Sequence, residues 1–570
     1  MSSSHGIEPN GEAKRKSRIL GEALQEEHNE SEERNSHEET ANRSQETQPL
    51  LPNDLERHHY LSPDDPQVSP LNIYKVRLVR FALVVTLFCN VLFFLVFLLS
   101  DFMTIPGIHS RGKSFLELDL SLLNVIMNGI TLWYLEVPSL LDRRIGYASS
   151  FLLGIDLIVV FLVPNMREQF GVPGTFLFTW TVLNFLSSSH AIYVVEKGKV
   201  YQEIRYTGRP ETRRTLSELV ILLLKIAGRC VLTLLIFCIS FRLMLQAFDC
   251  HQRPWGKMVP VANNQFKIHL ACFGDVRHQK ETSQFNEPSQ PVVLVEGGQL
   301  ASSEVFQEWI EELFHLNKIQ RYCVWDRPGY AFSDSAPSPI SMSIIIDYLR
   351  EALRNEGVEG PFSLVGFDIG GLYSRMFASQ SPGSIHSIML VDSWHEDLLK
   401  IYPFSGYNRK NENRKTFNNI LEFMDTRTGF KLWLKGVTAP LGIYSNFHWL
   451  LHPRRYSSNS RIFGSDMYYL SKYLRARFQE QVTASILSYN EVVSTDIHSV
   501  PLSIVSSDFM IKNSLNWGKW QRELSQLSSK PVEWVIAENS DHFIWLSPRG
   551  KSQLQKSLLR LLGWSEEADN

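Results

Sequence analysis

Residues Phe81 to Leu99 (FALVVTLFCNVLFFLVFLL) contain no charged side chain and are about as long as a helix must be to cross a hydrocarbon core of about 30 Å. In hydrocarbon every backbone N–H and C=O must be satisfied within the segment, so this stretch folds as a helix across or against a bilayer. Further apolar runs follow at Leu118 to Leu141, Tyr147 to Val163 and Thr175 to Val195, and a fifth lies between Leu219 and Phe248. About five spans are expected over residues 73–248. The fifth run carries Lys225, Arg229 and Arg242, whose long side chains are expected to snorkel towards the interfaces, the alternative being an intramembrane charged site on that helix. Glu136 and Asp156 read as interface or helix-contact residues.

Short loops rich in Lys and Arg stay on the cytosolic side. Lys75, Arg77 and Arg80 precede the first run, Arg143 and Arg144 follow the second, and Lys197, Lys199, Arg205, Arg209, Arg213 and Arg214 lie between the fourth and fifth. The opposite side has Arg111, Lys113 and Arg167. The amino terminus is therefore expected in the cytosol and everything after Phe248 in a lumen or outside the cell. One observation pulls the other way: no Asn-x-Ser/Thr sequence follows Phe248, whereas the tail has two, at Asn29 and Asn42. Cys250 and Cys272 are a possible disulfide on the lumenal side.

Ahead of the first run, residues 1–72 are rich in Glu, Ser, Asn and Gln and poor in aromatics, a composition that cannot bury enough apolar area to offset the entropy of ordering. This tail is expected to be disordered. Glu46-Thr-Gln-Pro-Leu50-Leu51 within it fits the acidic dileucine pattern of vacuolar and lysosomal sorting. Across the whole chain 57 Lys and Arg stand against 60 Asp and Glu, a net charge of −3, so there is no basic field to attract a phosphate backbone. Nucleic acid is not an expected partner. The six cysteines show no zinc-ligand spacing, and neither a metal nor a cofactor is expected. The expected partners are a lipid bilayer and a small-molecule substrate, and the oligomeric state is left open.

Beyond a connector at 249–289 the pattern changes. Short apolar runs at Pro291 to Val295, Tyr322 to Trp325, Phe362 to Val365, Ser387 to Val391, Leu502 to Val505 and Val532 to Ile536 alternate with helical periodicity at Glu304 to Leu316 and Ser343 to Asn355. That alternation predicts a mostly parallel sheet covered on both faces. Residues 290–394 and 498–570 form its two parts. The aromatic, helix-rich interval 395–497 breaks the alternation and reads as a cap above the sheet.

The chemistry is concentrated in Phe362-Ser-Leu-Val-Gly-Phe-Asp368-Ile-Gly-Gly371, an apolar strand running into a Gly-x-Asp-x-Gly turn and then a helix. Small residues on both sides suit a strained strand-to-helix turn that lifts one side chain above the sheet edge. At this point the chain resembles the α/β-hydrolase superfamily, whose usual nucleophile is Ser but whose dehalogenase and epoxide-hydrolase branches use Asp. Glu296-Gly297-Gly298-Gln299 stands where that family places its oxyanion loop. Asp326-Arg327-Pro328-Gly329-Tyr330 looks like a structural loop common in the superfamily, and Ser540-Asp541-His542-Phe543 stands at the catalytic-histidine position.

The resemblance implies Asp368 as nucleophile, His542 as base, and an acid that is either Asp508, the usual position, or the alternative Asp392. Gly298, Gln299 and Ile369 are the implied oxyanion hole. A carboxylate at the elbow attacks carbon, and the imidazole then activates water to hydrolyse the resulting ester. Two features depart from the branches that use Asp, which typically have His-Gly in the first loop and Trp after the nucleophile, where this chain has Glu296 and Ile369. Cap tyrosines Tyr456, Tyr468, Tyr469 and Tyr473 are candidate acids or simple packing. Two functions remain open: a membrane-anchored hydrolase acting on a hydrophobic substrate, and a catalytically silent hydrolase fold serving as a binding or sensor module. Transport by the helices is disfavoured by the lack of an internal repeat.

Overall fold

The computed structural model describes residues 61–62, 65–108, 111, 115–210, 214–276, 290–400, 429–451, 457–514 and 516–564. Residues 1–60 of the tail, with Leu50 and Leu51, lie outside them, as does Tyr456. Five helices follow residue 73: α1 (Tyr74–Ser100), α2 (Leu116–Trp133), α3 (Leu140–Leu162), α4 (Pro164–Thr207) and α5 (Leu216–Asp249). Each overlaps one of the apolar runs, although α2 stops at Trp133, short of the Leu141 expected from the sequence, and among the described residues three helices, α1, α3 and α5, are long and apolar enough to cross a membrane. Helix α2 begins with Glu117 and Asp119, and α4 is broken near its start by Gly171 (φ +63°) and Pro173.

Contacts divide the chain into two units. The first comprises residues 1–89, 126–148 and 184–233. Within it Lys225 and Arg229 do not snorkel. Lys225 Nζ lies 2.8 Å from Asp142 Oδ2, Arg229 Nε lies 2.9 Å from Asp142 Oδ1, and no side chain of the three is more than 1% exposed. Lys225 also donates to the carbonyls of Tyr134 and Val137, and Arg229 to Thr131 Oγ1 at 2.7 Å. The Asp142 carboxylate serves both cations, with helix-end carbonyls at Lys225 and the Thr131 hydroxyl at Arg229, which removes the reason for either side chain to reach an interface.

The second unit comprises residues 90–125, 149–183 and 234–570. Asp156 makes the helix contact expected of it, accepting from Ser240 Oγ at 2.5 Å. The rest is dominated by a sheet in the order β1-β2-β4-β3-β5-β6-β7-β8, with β1 Lys257–Val261, β2 Phe266–Phe273, β3 Val292–Glu296, β4 Tyr322–Trp325, β5 Phe362–Phe367, β6 Ile385–Val391, β7 Leu502–Ser507 and β8 Pro531–Ala537. All six anticipated strands are present and parallel from β4 to β8. Strands β1 and β2 occupy the segment read as a connector and add an antiparallel edge, joined to β4 by the register Leu270↔Trp325. Cys272, opposite Cys323 in that register, forms a disulfide with it, in place of the Cys250 partner considered from the sequence.

Alternation along the buried strands loads both faces. Val293, Val295, Val365, Phe367 and Val391 pack with Trp309 and Ile310 of α6 (Glu308–His315) and with Leu554 and Leu558 of the last helix. Val292, Leu294, Leu364 and Ile388 pack on the other side against α7 (Met342–Asn355) and α8 (Gly370–Gln380). The described part of the cap is helical, with α9 (Gly429–Thr438), α10 (Ile443–Leu451) and α11 (Ser471–Thr483) its main elements. Chain order reverses around β3, which pairs with β4 on one side and β5 on the other, and the crevice outside the carboxyl ends of such strands is where open α/β sheets bind ligands.

Candidate active site

Asp368 follows β5 directly and carries a φ of +55°, a conformation that L residues rarely adopt. Its flanking glycines are there for space. A Cβ on Gly366 would lie 2.6 Å from Ser374 Oγ, and one on Gly370 would lie 2.6 Å from the Gly297 carbonyl oxygen. The turn therefore closes only with small residues on both sides, and it holds the Asp368 carboxylate over the ends of β3 and β5.

The loop after β3 meets that carboxylate. Gln299 N–H donates to Asp368 Oδ2 at 2.8 Å, and the Ile369 N–H also reaches the carboxylate. Gly298 contributes differently: a Cβ there would lie 2.8 Å from Asp368 Cβ, so its hydrogen side chain is what permits the close approach. His542 Nε2 stands 3.5 Å from the other oxygen, Oδ1. Burial would raise the pKa of Asp368, but the His542 imidazole and the two backbone donors outweigh it and hold the carboxyl below its usual range.

His542 Nδ1 lies 2.7 Å from Asp392 Oδ2. Asp392 follows β6 directly with φ +41° and is fully buried, and its Oδ1 accepts from Ser507 N–H at 3.0 Å and from Trp517 Nε1 at 2.7 Å. The alternative acid, rather than Asp508, is thus the one brought to the imidazole. Asp508 opens a helix (Asp508–Asn513) directly after β7, and its carboxylate turns outward to Lys512 Nζ at 2.6 Å and the Asn539 N–H at 3.4 Å. Burial lowers the pKa of His542, while hydrogen bonds and charge from Asp368 and Asp392 raise it, with a net displacement up to about 10.

A second buried cluster, centred on Glu480, which the sequence did not single out, ties the cap to this site. Glu480 on α11 accepts from Tyr330 OH at 2.9 Å, Tyr373 OH at 3.2 Å and Gln299 Nε2 at 3.3 Å, and lies 3.4 Å from Arg327 Nε. Arg327 in turn donates to Glu296 Oε1 and to the carbonyls of Gly297 and Gly298, so the Asp326 to Tyr330 loop clamps the Glu296 to Gln299 loop. Glu296 is pushed up to about 7 by burial, partly offset by Arg327. Of the cap tyrosines, Tyr473 donates to the Gln299 carbonyl at 2.8 Å and Tyr468 to that of Leu300. No short motif marks Glu480; only the helical spacing of the cap around it carries a signal.

Among the described residues one group gathers possible metal ligands, His269, Glu304 and Asp326. His269 Nδ1 is 2.8 Å from Asp326 Oδ2, its Nε2 is 2.5 Å from the Trp255 carbonyl, and burial with the Asp326 charge pushes Glu304 up to about 9.

A strand-to-helix elbow, a facing backbone hole and a histidine after the last strand, set on a parallel sheet beyond apolar helices, define an α/β-hydrolase fold joined to a membrane region. Family comparisons divide the chain at the same place: residues 290–547 match the alpha/beta hydrolase fold and residues 46–272 match a region of unknown function (DUF2417). The chain belongs to the family of an uncharacterized vacuolar membrane protein of Saccharomyces cerevisiae, to which it is 31% identical over 85% of its own length and 87% of the relative's. An uncharacterized protein of Schizosaccharomyces pombe is 27% identical over 90% of this chain and 96% of that one. Among solved structures, an esterase from Exiguobacterium antarcticum is 14% identical, with 54% of this chain and all of that one covered at a TM-score of 0.36.

Proposed function

We propose that the protein is a membrane-anchored hydrolase in which Asp368 is the nucleophile, His542 the base and Asp392 its orienting acid. The observation that carries this reading is the position of one carboxylate: Oδ2 accepts from the Gln299 N–H while Oδ1 faces His542 Nε2 at 3.5 Å. Oδ1 attacks an electrophilic carbon of the substrate, forming a C–O bond as the bond to the leaving group breaks with its electron pair. Water then attacks the Asp368 carbonyl carbon, His542 takes its proton, and the negative charge that develops on Oδ2 is met by the Gln299 and Ile369 N–H groups. Collapse of that intermediate releases the alcohol product and restores the carboxylate.

Apolar helices immediately ahead of the domain favour a small hydrophobic substrate. In the Asp368→Asn variant, turnover of any ester, epoxide or haloalkane that the parent processes should fall by about a thousandfold or more. A parent inert towards the whole panel would instead favour the binding-module reading. We place the hydrolase domain in a lumen, at the vacuolar membrane. The basic loops, the name of the yeast relative and the Cys272–Cys323 bond, of a kind that persists in oxidising compartments, all support this. Alkylation before cell lysis followed by peptide mapping should recover Cys272 and Cys323 still joined; recovery of both as alkylated thiols would put the domain in the cytosol.

A further inference from the structure

Two N–H groups meet the Asp368 carboxylate, and they are held in different ways. The Ile369 N–H stands at the start of α8, where the helix fixes its direction. The Gln299 N–H comes from a loop that opens with Gly297 and Gly298, and glycine lets a peptide plane rotate at little cost. Both glycines are required for space: a Cβ on Gly297 would lie 2.5 Å from Ser303 N, and one on Gly298 2.8 Å from Asp368 Cβ. The close approach that brings this donor to the carboxylate thus removes the local stiffness that would keep it there.

Arg327 supplies what the glycines lack. Across a trans peptide the C=O and N–H point in opposite directions, and the Gly298 carbonyl belongs to the same peptide group as the Gln299 N–H. Arg327 Nη2 donates to that carbonyl at 2.8 Å, while the N–H on the far side reaches Asp368 Oδ2 at 2.8 Å. Arg327 Nη1 holds the preceding peptide group through the Gly297 carbonyl at 2.6 Å. The following carbonyl, that of Gln299, accepts from Tyr473 OH at 2.8 Å. Three consecutive peptide groups are therefore pinned by their oxygens, which leaves the middle one a single direction for its N–H.

The guanidinium is itself fixed. Nη1 also donates to Glu296 Oε1 at 2.8 Å, Nε lies 3.4 Å from Glu480 Oε1, and the ring centroids of Tyr330 and Tyr373 stand 4.4 and 4.9 Å from Cζ. Arg327 is buried, so water does not compete for its donors, and its planar fork spans two carbonyls at once, which a lysine ammonium cannot reproduce.

We propose that Arg327, assisted by Tyr473, is a positioning residue that aims the Gln299 N–H at Asp368 Oδ2. Its chemical consequence rests on the reading of Asp368 as nucleophile. When water attacks the ester, charge grows on Oδ2 and the aimed donor stabilises it; when the carboxylate first attacks the substrate it loses charge and gains nothing from that donor. Loss of Arg327 therefore slows ester hydrolysis and spares ester formation.

Gly298-Gln299 is the only Gly-Gln pair in the sequence, so full-length protein carrying NMR-active isotopes at glycine carbonyl carbons and glutamine nitrogens gives one amide signal for this peptide group. Arg327→Lys keeps a charge beside Glu296 and Glu480 but loses the fork, and exchange of the Gln299 amide with solvent should quicken by about tenfold or more. Arg321→Lys is the control, because Arg321 also donates to a backbone carbonyl, that of Gln290 at 2.7 Å, away from the site; the Gln299 amide should there exchange as in the parent. With bromohexane or hexene oxide, whichever the parent turns over, Arg327→Lys should accumulate the Asp368 ester although His542 is intact. Ester hydrolysis should slow by about 10²–10³-fold while ester formation stays within about threefold of the parent. Parental exchange of the Gln299 amide in Arg327→Lys would overturn the assignment, as would equal acceleration in Arg321→Lys or an equal slowing of both half-reactions. Should Arg327→Lys not fold, Tyr473→Phe, which removes one hydroxyl, is read in the same way, and parental exchange there would overturn the assignment. A parent inert towards both probes would count against the hydrolase reading, and the amide signal, which needs no substrate, would still decide whether Arg327 aims the N–H.

Discussion

His542→Gln protein given a substrate that the parent turns over should accumulate an ester on Asp368. The attack by carboxylate needs no base, so the first half-reaction survives, whereas hydrolysis of the ester needs a proton acceptor for water. Mass spectrometry of the peptide containing Asp368 should show one alkyl adduct per chain, with turnover reduced by about 10³–10⁴-fold. An unmodified peptide after prolonged exposure, with turnover lost, would refute the covalent route. The charge arrangement explains why the base is ready only when required. In the resting protein Asp368 and Asp392 push His542 up to about 10, so the imidazole is protonated. On the proposed route, esterification would remove the negative charge of Asp368, the imidazolium would hold its proton less tightly and pass it to the leaving group or to solvent, and the free base would then stand beside the ester. The same displacement has a stability consequence. Because the folded-state pKa lies above the ordinary 6.5, the stabilisation is fully present below about pH 6.5 and is lost as pH rises through about 10. Thermal unfolding of the parent should therefore move to lower temperature across that window, and that component of the shift should vanish in His542→Gln.

Asp392→Asn and Asp508→Asn should separate cleanly. The first replaces the carboxylate 2.7 Å from His542 Nδ1, which fixes the tautomer and steadies the imidazolium, so turnover should fall by about 10³–10⁴-fold. The second removes a partly exposed ion pair with Lys512, and activity should stay within about threefold of the parent. If Asp508→Asn proved the more damaging, the acid would have to reach His542 in a rearranged enzyme, and the resting geometry would not be the working one.

The elbow was legible because steric necessity leaves a local trace: an L residue at φ +55° beneath a helix start demands glycines at fixed offsets, as Gly366 and Gly370 provide. The parallel strands were legible because burial on both faces gives continuous apolar runs. The sequence favoured Asp508, the usual position, over the alternative Asp392: both follow apolar strands, and only the buried donors Ser507 N–H and Trp517 Nε1, contributed from elsewhere, distinguish Asp392. Strands β1 and β2 escaped notice because an antiparallel edge of mixed polarity, such as Phe266-Lys-Ile-His, leaves a short and weak alternation. Lys225 and Arg229 misled for a related reason. A basic residue on an apolar helix announces its charge, but the carboxylate that receives it, Asp142, lies on another helix.

That last arrangement bears on how the protein is made. Alone, α5 would present two cations to lipid, each costing about 2.5–3.5 kcal/mol near the centre of a span, and α3 would present a carboxylate. Together they share that charge out of contact with acyl chains. Entry of α5 into the bilayer without α3 beside it would carry the cost of both cations, so the pairing with Asp142 would couple the insertion of the two helices.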